Sequence, residues 1–428
     1  MKVKCFPSLC EGQVNIPPSK SMAHRAIICA SLAKGTSTLT NVSYSKDIIA
    51  TIEAMKCIGA TIVQKEDILI ITGTSQITSS QKEIFCNESG STLRFLIPIF
   101  SLCNQELTFT GAGRLMERPQ TIYQDLFQDK KLTFIQNKQG ITIDTSLPAG
   151  EYLVKGDISS QFISGLLFTL PLLKGDSILK IIPPYESKSY VDLTLQMLHH
   201  YHIQVDVLDD NTYFIKGNQQ YIASDYAIEG DYSQLAFFAV YAAIHGQCHI
   251  QGMNHHSYQG DKQIIDILKK AGASIQETNG GYIITKNKLQ GTTIDLANCP
   301  DLGPILCVLG MYSEGTTIIE NAGRLRIKES DRIAAMETEL RKFGCDISSD
   351  ENTITIHGKS HYECHAFLNG HNDHRIVMAL AIASACSTST TIIDGAQAIS
   401  KSYPNFFEDY QKANGKVEYL WLPKTQNS

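Results

Sequence analysis

The sequence predicts an α/β protein of two domains, each built from three copies of one repeated unit. The chain has 428 residues, and a single hydrophobic core stops growing near about 250 to 300 residues. Its 43% hydrophobic and 19% charged residues are typical of a folded, water-soluble chain. Apolar segments with helical spacing recur roughly every 70 residues, and such a period determines a fold more strongly than local propensity does. They begin at Ser19, Ser89, Ser159, Tyr232, Pro300 and Asp373.

The first copy shows the order of elements within a unit. An apolar helix is predicted in SKSMAHRAIICASLA, before Gly35, and a strand follows in TSTLTNV. A second helix, DIIATIEAMKCIGA, precedes two strands, TIVQK and ILIITG. The fourth and fifth copies repeat this order, with Gly246 and Gly315 after their first helices. Glycine there is typical of a helix C-terminus, and the change from a period of 3.6 to a period of 2 indicates helix followed by strand.

Six units over two domains place three units in each domain. The predicted domains are residues 14–228 and residues 1–13 with 229–428, with crossings near Gln13–Val14 and Glu229–Gly230. The sixth copy ends at KVEYLWL and lacks a final strand, which the opening segment KVKCFPSL can supply. The second domain would then be discontinuous, and the two chain ends would come together.

Charge, cysteine and hydropathy patterns limit where the protein works. The balance of 37 Lys+Arg against 43 Asp+Glu gives a net charge of -6, so no nucleic-acid or membrane partner is expected. The 12 cysteines are scattered without a C-x-x-C pair, which favours a reducing compartment over a disulfide framework. The first ten residues lack the apolar stretch of a targeting signal, and no apolar run reaches the ~18 to 20 residues that span a bilayer. We therefore expect a cytoplasmic monomer.

Polar and charged side chains lie at the starts of the repeated first helices. If the six units are arranged alike, these helix N-termini converge on one cleft between the domains, where backbone N–H groups attract anions. Serine, lysine and arginine at equivalent repeat positions inside apolar helices are not typical of a solvated face. The residues are Lys20, Ser21, Arg25, Ser91, Arg94, Ser159, Ser160, Gln161, Asp301, Asp373 and Arg375.

Eight short motifs follow one another along the chain: PPSKSMAHR, ESGSTLRF, GRLMERP, GDISSQF, PYESKSY, RLRIKESDR, NDHR and SKSYP. As a set they resemble the 5-enolpyruvylshikimate-3-phosphate synthase family over essentially the whole chain. The resemblance implies the enolpyruvyl transferase fold, an inverse α/β barrel of two domains, each with three βαββαβ units, and an active site in the cleft between the domains.

The resemblance also implies a reaction. Members of the family transfer the enolpyruvyl group of phosphoenolpyruvate to the 5-hydroxyl of shikimate 3-phosphate and release phosphate, in the shikimate pathway to chorismate and the aromatic amino acids. No metal and no organic cofactor are expected. Both substrates carry phosphate and carboxylate groups, so the site needs several arginine and lysine side chains in a dry cleft.

Shikimate 3-phosphate is expected, from the resemblance, to bind hydroxyl, amide and charged side chains. In isolation, Ser159 and Ser160 would equally suit an ordinary helix N-cap. The expected set is Ser21, Arg25, Ser159, Ser160, Gln161, Ser187, Tyr190, Asp301 and Lys328.

Phosphoenolpyruvate is expected to bind a second set. Gly90 belongs to it because a side chain there would intrude on the substrate. Lys328 and Arg332 lie four residues apart, and on a helix they would repel each other unless an anion lay between them. The expected set is Lys20, Gly90, Arg118, Gln161, Arg332, Arg375 and Lys401.

Four residues are expected to be catalytic: Lys20, Asp301, Glu329 and Lys401. The reaction would proceed by addition and elimination through a tetrahedral intermediate, with Asp301 as candidate base for the 5-hydroxyl and Glu329 near the methylene carbon. Which residue moves which proton stays open at this point.

Two positions depart from the family pattern. Glu88 stands where asparagine is common, and Arg324 stands where some members have asparagine, which leaves the response to the family's inhibitor glyphosate open. The histidines and cysteine between His361 and His374 suggest a metal site by composition, but they lack a regular ligand spacing, so we expect no metal.

Two alternatives compete with this function. A sister family transfers enolpyruvyl to UDP-N-acetylglucosamine and commonly has a reactive cysteine in the loop that here reads GAGRLMERP, without cysteine. The other alternative is a catalytically silent homologue that only binds phosphorylated metabolites. It has no reason to keep all of Lys20, Asp301, Glu329, Arg332, Arg375 and Lys401.

Overall fold

The computed structural model describes residues 1–74 and 76–420. Within that part of the chain the structure has twelve α-helices. They are α1 Lys20–Leu32, α2 Lys46–Cys57, α3 Gly90–Ser101, α4 Thr121–Asp129, α5 Ser160–Thr169, α6 Lys188–His200, α7 Tyr232–His245, α8 Gln263–Ala271, α9 Gly303–Met311, α10 Arg332–Arg341, α11 His374–Cys386 and α12 Phe406–Lys412.

The strands of the described residues are short and number twenty-four. They are β1 Lys2–Phe6, β2 Gln13–Asn15, β3 Thr36–Thr40, β4 Thr61–Lys65, β5 Ile68–Thr72, β6 Glu83–Phe85, β7 Leu107–Thr110, β8 Phe134–Gln136, β9 Ile141–Ile143, β10 Glu151–Lys155, β11 Ser177–Ile182, β12 Asp206–Asp209, β13 Thr212–Ile215, β14 Tyr226–Ala227, β15 Gln247–Gln251, β16 Ser274–Thr278, β17 Gly281–Thr285, β18 Thr293–Asp295, β19 Gly315–Glu320, β20 Asp346–Ser349, β21 Ile354–Gly358, β22 Phe367–Asn369, β23 Thr391–Asp394 and β24 Lys416–Leu420.

Across residues 1–74 and 76–420 these strands form six four-stranded sheets of one design. In the sheet β6-β7-β9-β8, β6 runs parallel to β7, while β7 with β9 and β9 with β8 are antiparallel. Along the chain this repeat reads βαβαββ, with α4 before both β8 and β9. The βαββαβ order that the resemblance implied is therefore wrong. A turn closed by a hydrogen bond from the Asn137 amide to the Gly140 carbonyl joins β8 to β9 and leaves no room for a helix between them.

The N-terminal strand completes the last sheet, as predicted. β1 lies between β23 and β24, with Val3 opposite Ile393 on one side and Tyr419 on the other. Lys2 pairs with Leu420, so the two ends of the described chain meet in one sheet. In the predicted run KVEYLWL, the last two residues, 421 and 422, lie outside the described residues.

The chain divides into two compact units. We call Pro18–Glu229 the continuous unit, and Met1–Pro17 with the chain from Gly230 onward the discontinuous unit. The first crossing follows Pro17 instead of lying at residues 13 and 14, because β2 pairs in parallel with β15 of the discontinuous unit. Residues 14–17 therefore do not belong to the predicted domain 14–228.

In each unit the first helices of the three repeats form the core, and the sheets surround them. α11 is buried over its whole length, and α1 is buried from Met22 to Leu32. These helices are apolar around their full circumference, which suits a helix enclosed on all sides. The strands turn alternate residues outward, so that Phe85, Leu153 and Phe367 are more than half exposed. Helices inside and sheets outside are the inverse α/β barrel arrangement that the sequence predicted.

Polar side chains begin most of these buried helices. Ser19, Ser89 and Ser159 cap α1, α3 and α5, and each side chain accepts a hydrogen bond from a backbone amide of the first turn. Asp231 and Asp373 cap α7 and α11 in the same way. The fifth copy differs, because a 3₁₀ turn over Pro300–Leu302 precedes α9. The caps satisfy amides that have no partner within the helix.

In three repeats a glycine at or just after the end of the last strand packs against the end of the first helix. A Cβ on Gly73 would lie 2.1 Å from the Ala33 carbonyl oxygen, and one on Gly217 would lie 2.6 Å from the Leu173 oxygen. Gly358 in the fifth copy is the tightest of the three, at 1.9 Å from the Ser313 oxygen. These contacts are with backbone atoms, so the helix end could not make room by rotating a side chain.

We expect Gly358→Ala to destabilise the discontinuous unit by about 2 kcal/mol or more, because its Cβ overlaps helix backbone. For a unit of this size that corresponds to a drop in melting temperature of roughly 4 to 8 °C. Gly344→Ala is the control, since its Cβ meets nothing within 4 Å and only its positive φ of 76° costs stability, by about 1 kcal/mol. Equal shifts in calorimetry would contradict the packing argument.

Candidate active site

The start of α1 carries a lysine paired with a carboxylate. Lys20 is the first residue of α1, after the Ser19 cap. Its Nζ donates to Oδ2 of Asp47 at 2.8 Å, and the two side chains are 17% and 9% exposed. Asp47 lies in the first turn of α2, which Ser45 caps. The predicted substrate-binding lysine is thus paired with Asp47, a residue that the sequence analysis missed.

Arg25 lies one turn further along α1 and is buried. Its Nε donates to Thr194 Oγ1 at 2.9 Å, Nη1 donates to the Ser21 carbonyl at 2.7 Å, and Nη2 donates to the Tyr190 carbonyl at 2.8 Å. The guanidinium also lies over the ring of Phe95. Burial lowers the pKa of Arg25 to about 10, so the group is still charged at neutral pH. The structure therefore brings together three predicted residues, with Arg25 tying α1 to α6.

The starts of α3 and α5 meet through the side-chain amide of Gln161. Its Oε1 accepts from Arg94 Nη1 at 3.0 Å, and its Nε2 donates to Ser91 Oγ at 2.9 Å. Arg94 in turn stacks on the ring of Phe162. These contacts assign the orientation of the amide. The sequence analysis placed Ser91 and Arg94 at a helix start but gave them no role. In the structure they fix the orientation of the Gln161 side chain by hydrogen bonds.

Ser159 and Ser160 occupy the same helix start. Ser159 caps α5 by accepting a hydrogen bond from the Gln161 amide at 3.3 Å, and Ser160 is 6% exposed. Ser187 begins α6 with a left-handed φ of 54° and makes no capping hydrogen bond with its side chain. Ser159 thus has a structural role as the N-cap of α5.

Gly90 and Arg118 are in direct contact. A Cβ on Gly90 would lie 2.6 Å from Nη1 of Arg118 and 3.0 Å from its Cζ. Gly90 is the first residue of α3, and Arg118 follows a 3₁₀ turn over Leu115–Glu117. The space beside Gly90, where close approach of the substrate was expected, contains the Arg118 guanidinium. Glu88, the departure from the family pattern, lies against Gly113 of the same loop region.

In the discontinuous unit, Asp301 gathers three cations. Its Oδ1 accepts from Lys328 Nζ at 3.3 Å and from Arg332 Nη1 at 3.2 Å. Its Oδ2 accepts from Arg375 Nη2 at 2.9 Å, and the same guanidinium donates to Ser233 Oγ. Lys328 has extended backbone and precedes α10, so the expectation that it shares a helix with Arg332 is wrong. The anion between the two cations in the structure is the Asp301 carboxylate.

Arg332 is fully enclosed by carboxylates. Its Nε donates to Asp373 Oδ2 at 2.8 Å and its Nη2 donates to Glu329 Oε2 at 2.7 Å, in addition to the Asp301 contact. The side chain is 1% exposed. Burial opposes its charge, but the attraction of Asp373 and the other carboxylates outweighs burial and raises the pKa of Arg332. The Arg332 side chain is therefore charged at neutral pH.

The electrostatics of this cluster hold Asp301 ionised. Burial alone would raise its pKa, but the nearby cations, foremost Arg375, keep the pKa of Asp301 well below its ordinary value of 3.8. Burial disfavours the charged form of Lys328 as well, and because that form is the protonated one, burial lowers the pKa of Lys328 from 10.5, although the attraction of Asp301 partly offsets this. Three carboxylates face three cations here, so an arriving anion must compete with carboxylates of the protein for each cation.

Lys401 lies at the end of a 3₁₀ turn over Ala396–Lys401 and is 6% exposed. Its Nζ donates to the Asn372 carbonyl at 2.6 Å, which lies next to Asp373, the cap of α11. Glu329 and Lys401 are both in the discontinuous unit with Asp301. Lys20 is in the continuous unit.

The sequence analysis missed several supporting residues. Asp47, Thr194 and Ser233 each contact a predicted site residue. Only Asp47 had a readable signal, because Ser45 with an acidic residue in the next turn is typical of a helix start. Thr194 lies in the middle of α6 and Ser233 follows a cap, positions that carry no chemical signal in a single sequence.

Neither a membrane-spanning helix nor a metal-binding cluster is found among the residues that the structure describes. None of the helices in these ranges combines the length and apolar character needed to cross a bilayer. Residues 1–74 and 76–420 hold no group of three or more His, Cys, Asp or Glu side chains arranged to bind a metal ion. His371, one of the histidines considered above, pairs with Glu339 at 3.0 Å.

Asp373→Asn is expected to destabilise the discontinuous unit by about 2 to 3 kcal/mol at pH 7, because it removes the charge of one of the three carboxylates that surround the buried Arg332. The pKa of Asp373 is lowered by Arg332 against the effect of burial. The stabilisation it gives is therefore present above pH 4 and is lost only as pH falls below about 4. Melting temperatures at several pH values would check this.

Asp331→Asn is the matched control, since Asp331 also caps a helix but its side chain is 38% exposed. Asparagine caps helices as well as aspartate does, so this variant should lose less than about 1 kcal/mol. Equal losses in the two variants would refute a special role of the buried pair.

Comparison with known proteins agrees with the motifs. The family model described as EPSP synthase (3-phosphoshikimate 1-carboxyvinyltransferase) matches residues 7–410. A curated relative named 3-phosphoshikimate 1-carboxyvinyltransferase, from Clostridium kluyveri, is 45% identical over 423 residues, covering 97% of this chain and 98% of its own. A relative of the same name from Clostridioides difficile is 43% identical over 428 residues, with coverages of 97% and 98%.

Solved structures share the fold. An EPSP synthase from Acinetobacter baumannii has a TM-score of 0.81 at 24% identity and covers 97% of this chain and 99% of its own. The enolpyruvyl transferase NikO from Streptomyces tendae has a TM-score of 0.76 at 14% identity, with coverages of 99% and 99%. Family model and curated relatives together establish that the chain belongs to the EPSP synthase family.

Proposed function

We propose that this protein transfers the enolpyruvyl group of phosphoenolpyruvate to the 5-hydroxyl of shikimate 3-phosphate and releases phosphate. The observation that carries the proposal is the set of buried cations at the starts of the repeated helices, in a chain 45% identical to a relative named for this reaction. Both substrates carry phosphate and carboxylate groups, which arginine and lysine bind with charge-assisted hydrogen bonds. The net charge of -6 is no obstacle because the cations are local.

Shikimate 3-phosphate is assigned to hydroxyl, amide and charged side chains. Backbone amides and hydroxyls at a helix N-terminus suit a phosphate group, and the start of α5 offers them next to the oriented Gln161 amide. The cationic residues would bind the carboxylate and the ring hydroxyls. The proposed set is Ser21, Arg25, Ser159, Ser160, Gln161, Ser187, Tyr190, Asp301 and Lys328.

Phosphoenolpyruvate is assigned to cations that lie buried or nearly so. Arg118, Arg332, Arg375 and Lys401 are each less than a tenth exposed, and charges in such surroundings attract an anion more strongly than they would in water. The proposed set is Lys20, Gly90, Arg118, Gln161, Arg332, Arg375 and Lys401.

The proposed chemistry is addition followed by elimination. A proton is added to C3 of phosphoenolpyruvate, the 5-hydroxyl oxygen bonds to C2 as it loses its own proton, and a tetrahedral intermediate forms. Removal of a proton from C3 and departure of phosphate from C2 then restore the double bond. The candidates for these proton transfers are Lys20, Asp301, Glu329 and Lys401.

Substrate charge would adjust the basicity of Asp301. In the structure its cationic neighbours hold its pKa well below 3.8, and such a carboxylate is a weak base. When the phosphate or carboxylate of a substrate takes over hydrogen bonds from Arg375 or Arg332, that attraction weakens and the pKa of Asp301 rises. The carboxylate would thus become a better base only when the substrates are bound.

The cellular setting is proposed on chemical grounds. All 12 cysteines are free thiols, and most are buried, which suits the reducing conditions of the cytoplasm.

Phosphate release from phosphoenolpyruvate by the purified protein is the direct test. We expect release that depends on shikimate 3-phosphate and does not occur with UDP-N-acetylglucosamine. Lys20→Ala and Asp301→Ala should each lower kcat by about 10²- to 10⁴-fold, the range for loss of a proton-transferring group. Tight binding of shikimate 3-phosphate without phosphate release would favour a catalytically silent homologue. Phosphate release with UDP-N-acetylglucosamine would identify the protein as a UDP-N-acetylglucosamine enolpyruvyl transferase.

Gln161→Glu tests the assignment at the start of α5. It keeps an acceptor for Arg94 but loses the donor to Ser91 and adds a negative charge. We expect the KM for shikimate 3-phosphate to rise by roughly 10- to 100-fold, because one misplaced charge or lost hydrogen bond costs about 1.5 to 3 kcal/mol.

Gln161→Met is the matched control, with similar length and no charge, and its KM should rise less than that of Gln161→Glu. Unchanged KM values in both variants, with unchanged melting temperatures, would remove Gln161 from the proposed site.

A further inference from the structure

The pair of Lys20 with Asp47 has an electrostatic cause. Lys20 is the first residue of α1, and the N-terminal end of a helix carries partial positive charge that disfavours a cation. Asp47 lies in the first turn of α2, where the same effect favours an anion. The helix start therefore favours the carboxylate in its place and disfavours the ammonium group, which the nearby carboxylate stabilises.

The backbone of Asp47 adjoins a network of hydroxyl groups. Its carbonyl oxygen lies 3.5 Å from the Thr51 hydroxyl and 3.4 Å from the Thr92 hydroxyl. The two hydroxyls lie 2.7 Å apart and connect α2 to α3. His24 of α1 joins them through Thr51, also at 2.7 Å. Three helices thus fix the point from which Asp47 reaches Lys20.

The histidine that adjoins this hydroxyl network is buried and uncharged. His24 is fully buried, and burial holds its pKa well below 6.5, so the imidazole is neutral. Oδ1 of Asp47 is buried and has no hydrogen-bond partner among the described residues, while Oδ2 accepts from Lys20. A buried carboxylate oxygen without a partner costs free energy. The ion pair with Lys20 offsets part of this cost.

We infer that Asp47 is a positioning residue that holds the Lys20 ammonium group in place for phosphoenolpyruvate. The inference rests on the proposed function, because it takes Lys20 as a group that acts on that substrate. Asp47 does not itself touch the reacting atoms in this scheme. It acts through Lys20, as a supporting shell does when it fixes a functional side chain within about 0.5 Å.

A kinetic double-mutant cycle tests the inference. In the otherwise unchanged enzyme, Asp47→Asn should lower kcat by at least about 10-fold while changing the KM for phosphoenolpyruvate less than about 3-fold, because the lysine remains but is no longer held. In a Lys20→Gln background the same substitution should have no further effect, since residues that act through one group are not additive. A purely structural role would give the same fold-loss in both backgrounds and overturn the inference.

Asp409→Asn is the matched control. Asp409 is also a buried aspartate, 7% exposed, and accepts from Lys412 Nζ at 2.7 Å, but it lies in α12. Its effect on kcat, whatever its size, should be the same in the Lys20 and Lys20→Gln backgrounds.

A second measurement needs no catalysis. With limiting acetic anhydride, acetylation of Lys20 should be at least about 3-fold faster in Asp47→Asn than in the unchanged protein, because the carboxylate no longer holds the amine. Peptide mass spectrometry would report the rate, with Lys412 as internal reference. Equal rates would show that the ion pair does not hold Lys20 in solution, and would overturn the inference even if the enzyme reaction were absent. If the enzyme is active but the two acetylation rates are equal, the proposed function is supported and the positioning role of Asp47 is refuted.

Discussion

The constraint on which this structure depends is the enclosure of six helices by their own sheets. A helix that is apolar on every side has no surface left for polar groups except its ends. At the N-terminal ends the backbone amides still need acceptors, and serine and aspartate caps supply them at five of the six starts. The same ends attract anions. Enclosure therefore both stabilises the fold and leaves the helix starts as the places where charged chemistry can occur.

Charge compensation is the second theme that connects the site residues. Each buried cation in the two clusters is held by oxygens of the protein: Lys20 by Asp47, Arg25 by backbone carbonyls, and Arg332 by three carboxylates. Isolated buried charge is too costly to persist. The carboxylates of the protein compensate these cations in the structure, and the proposed function requires substrate oxygens to take their place. In that view the low pKa of Asp301 belongs to the same compensation that keeps Arg375 and Arg332 in place.

The sixfold repeat was readable because periodic patterns are local. Helical spacing of apolar residues and the glycine after the first helix survive in each copy, so the α/β class, the number of units and the completion of the last sheet by β1 were all predicted correctly. The errors lie where local signals are weak. β2 has only three residues, and nothing in them indicates that they pair with β15 some 230 positions away. The βαββαβ order implied by the resemblance was wrong, because strands such as β8 and β9 are joined by a tight turn that leaves no room for a helix.

The sequence by itself determined which residue types stand at the helix starts, and with them the chemistry of phosphate and carboxylate binding. It did so because caps, apolar runs and short motifs are properties of contiguous residues. Only the tertiary structure decided which side chains face one another. Asp47 meets Lys20 from another helix, Gln161 is oriented by Ser91 and Arg94 of α3, and Asp301 gathers cations from two distant segments. Partner choice among charged groups depends on distances and burial that arise only when separate elements pack together.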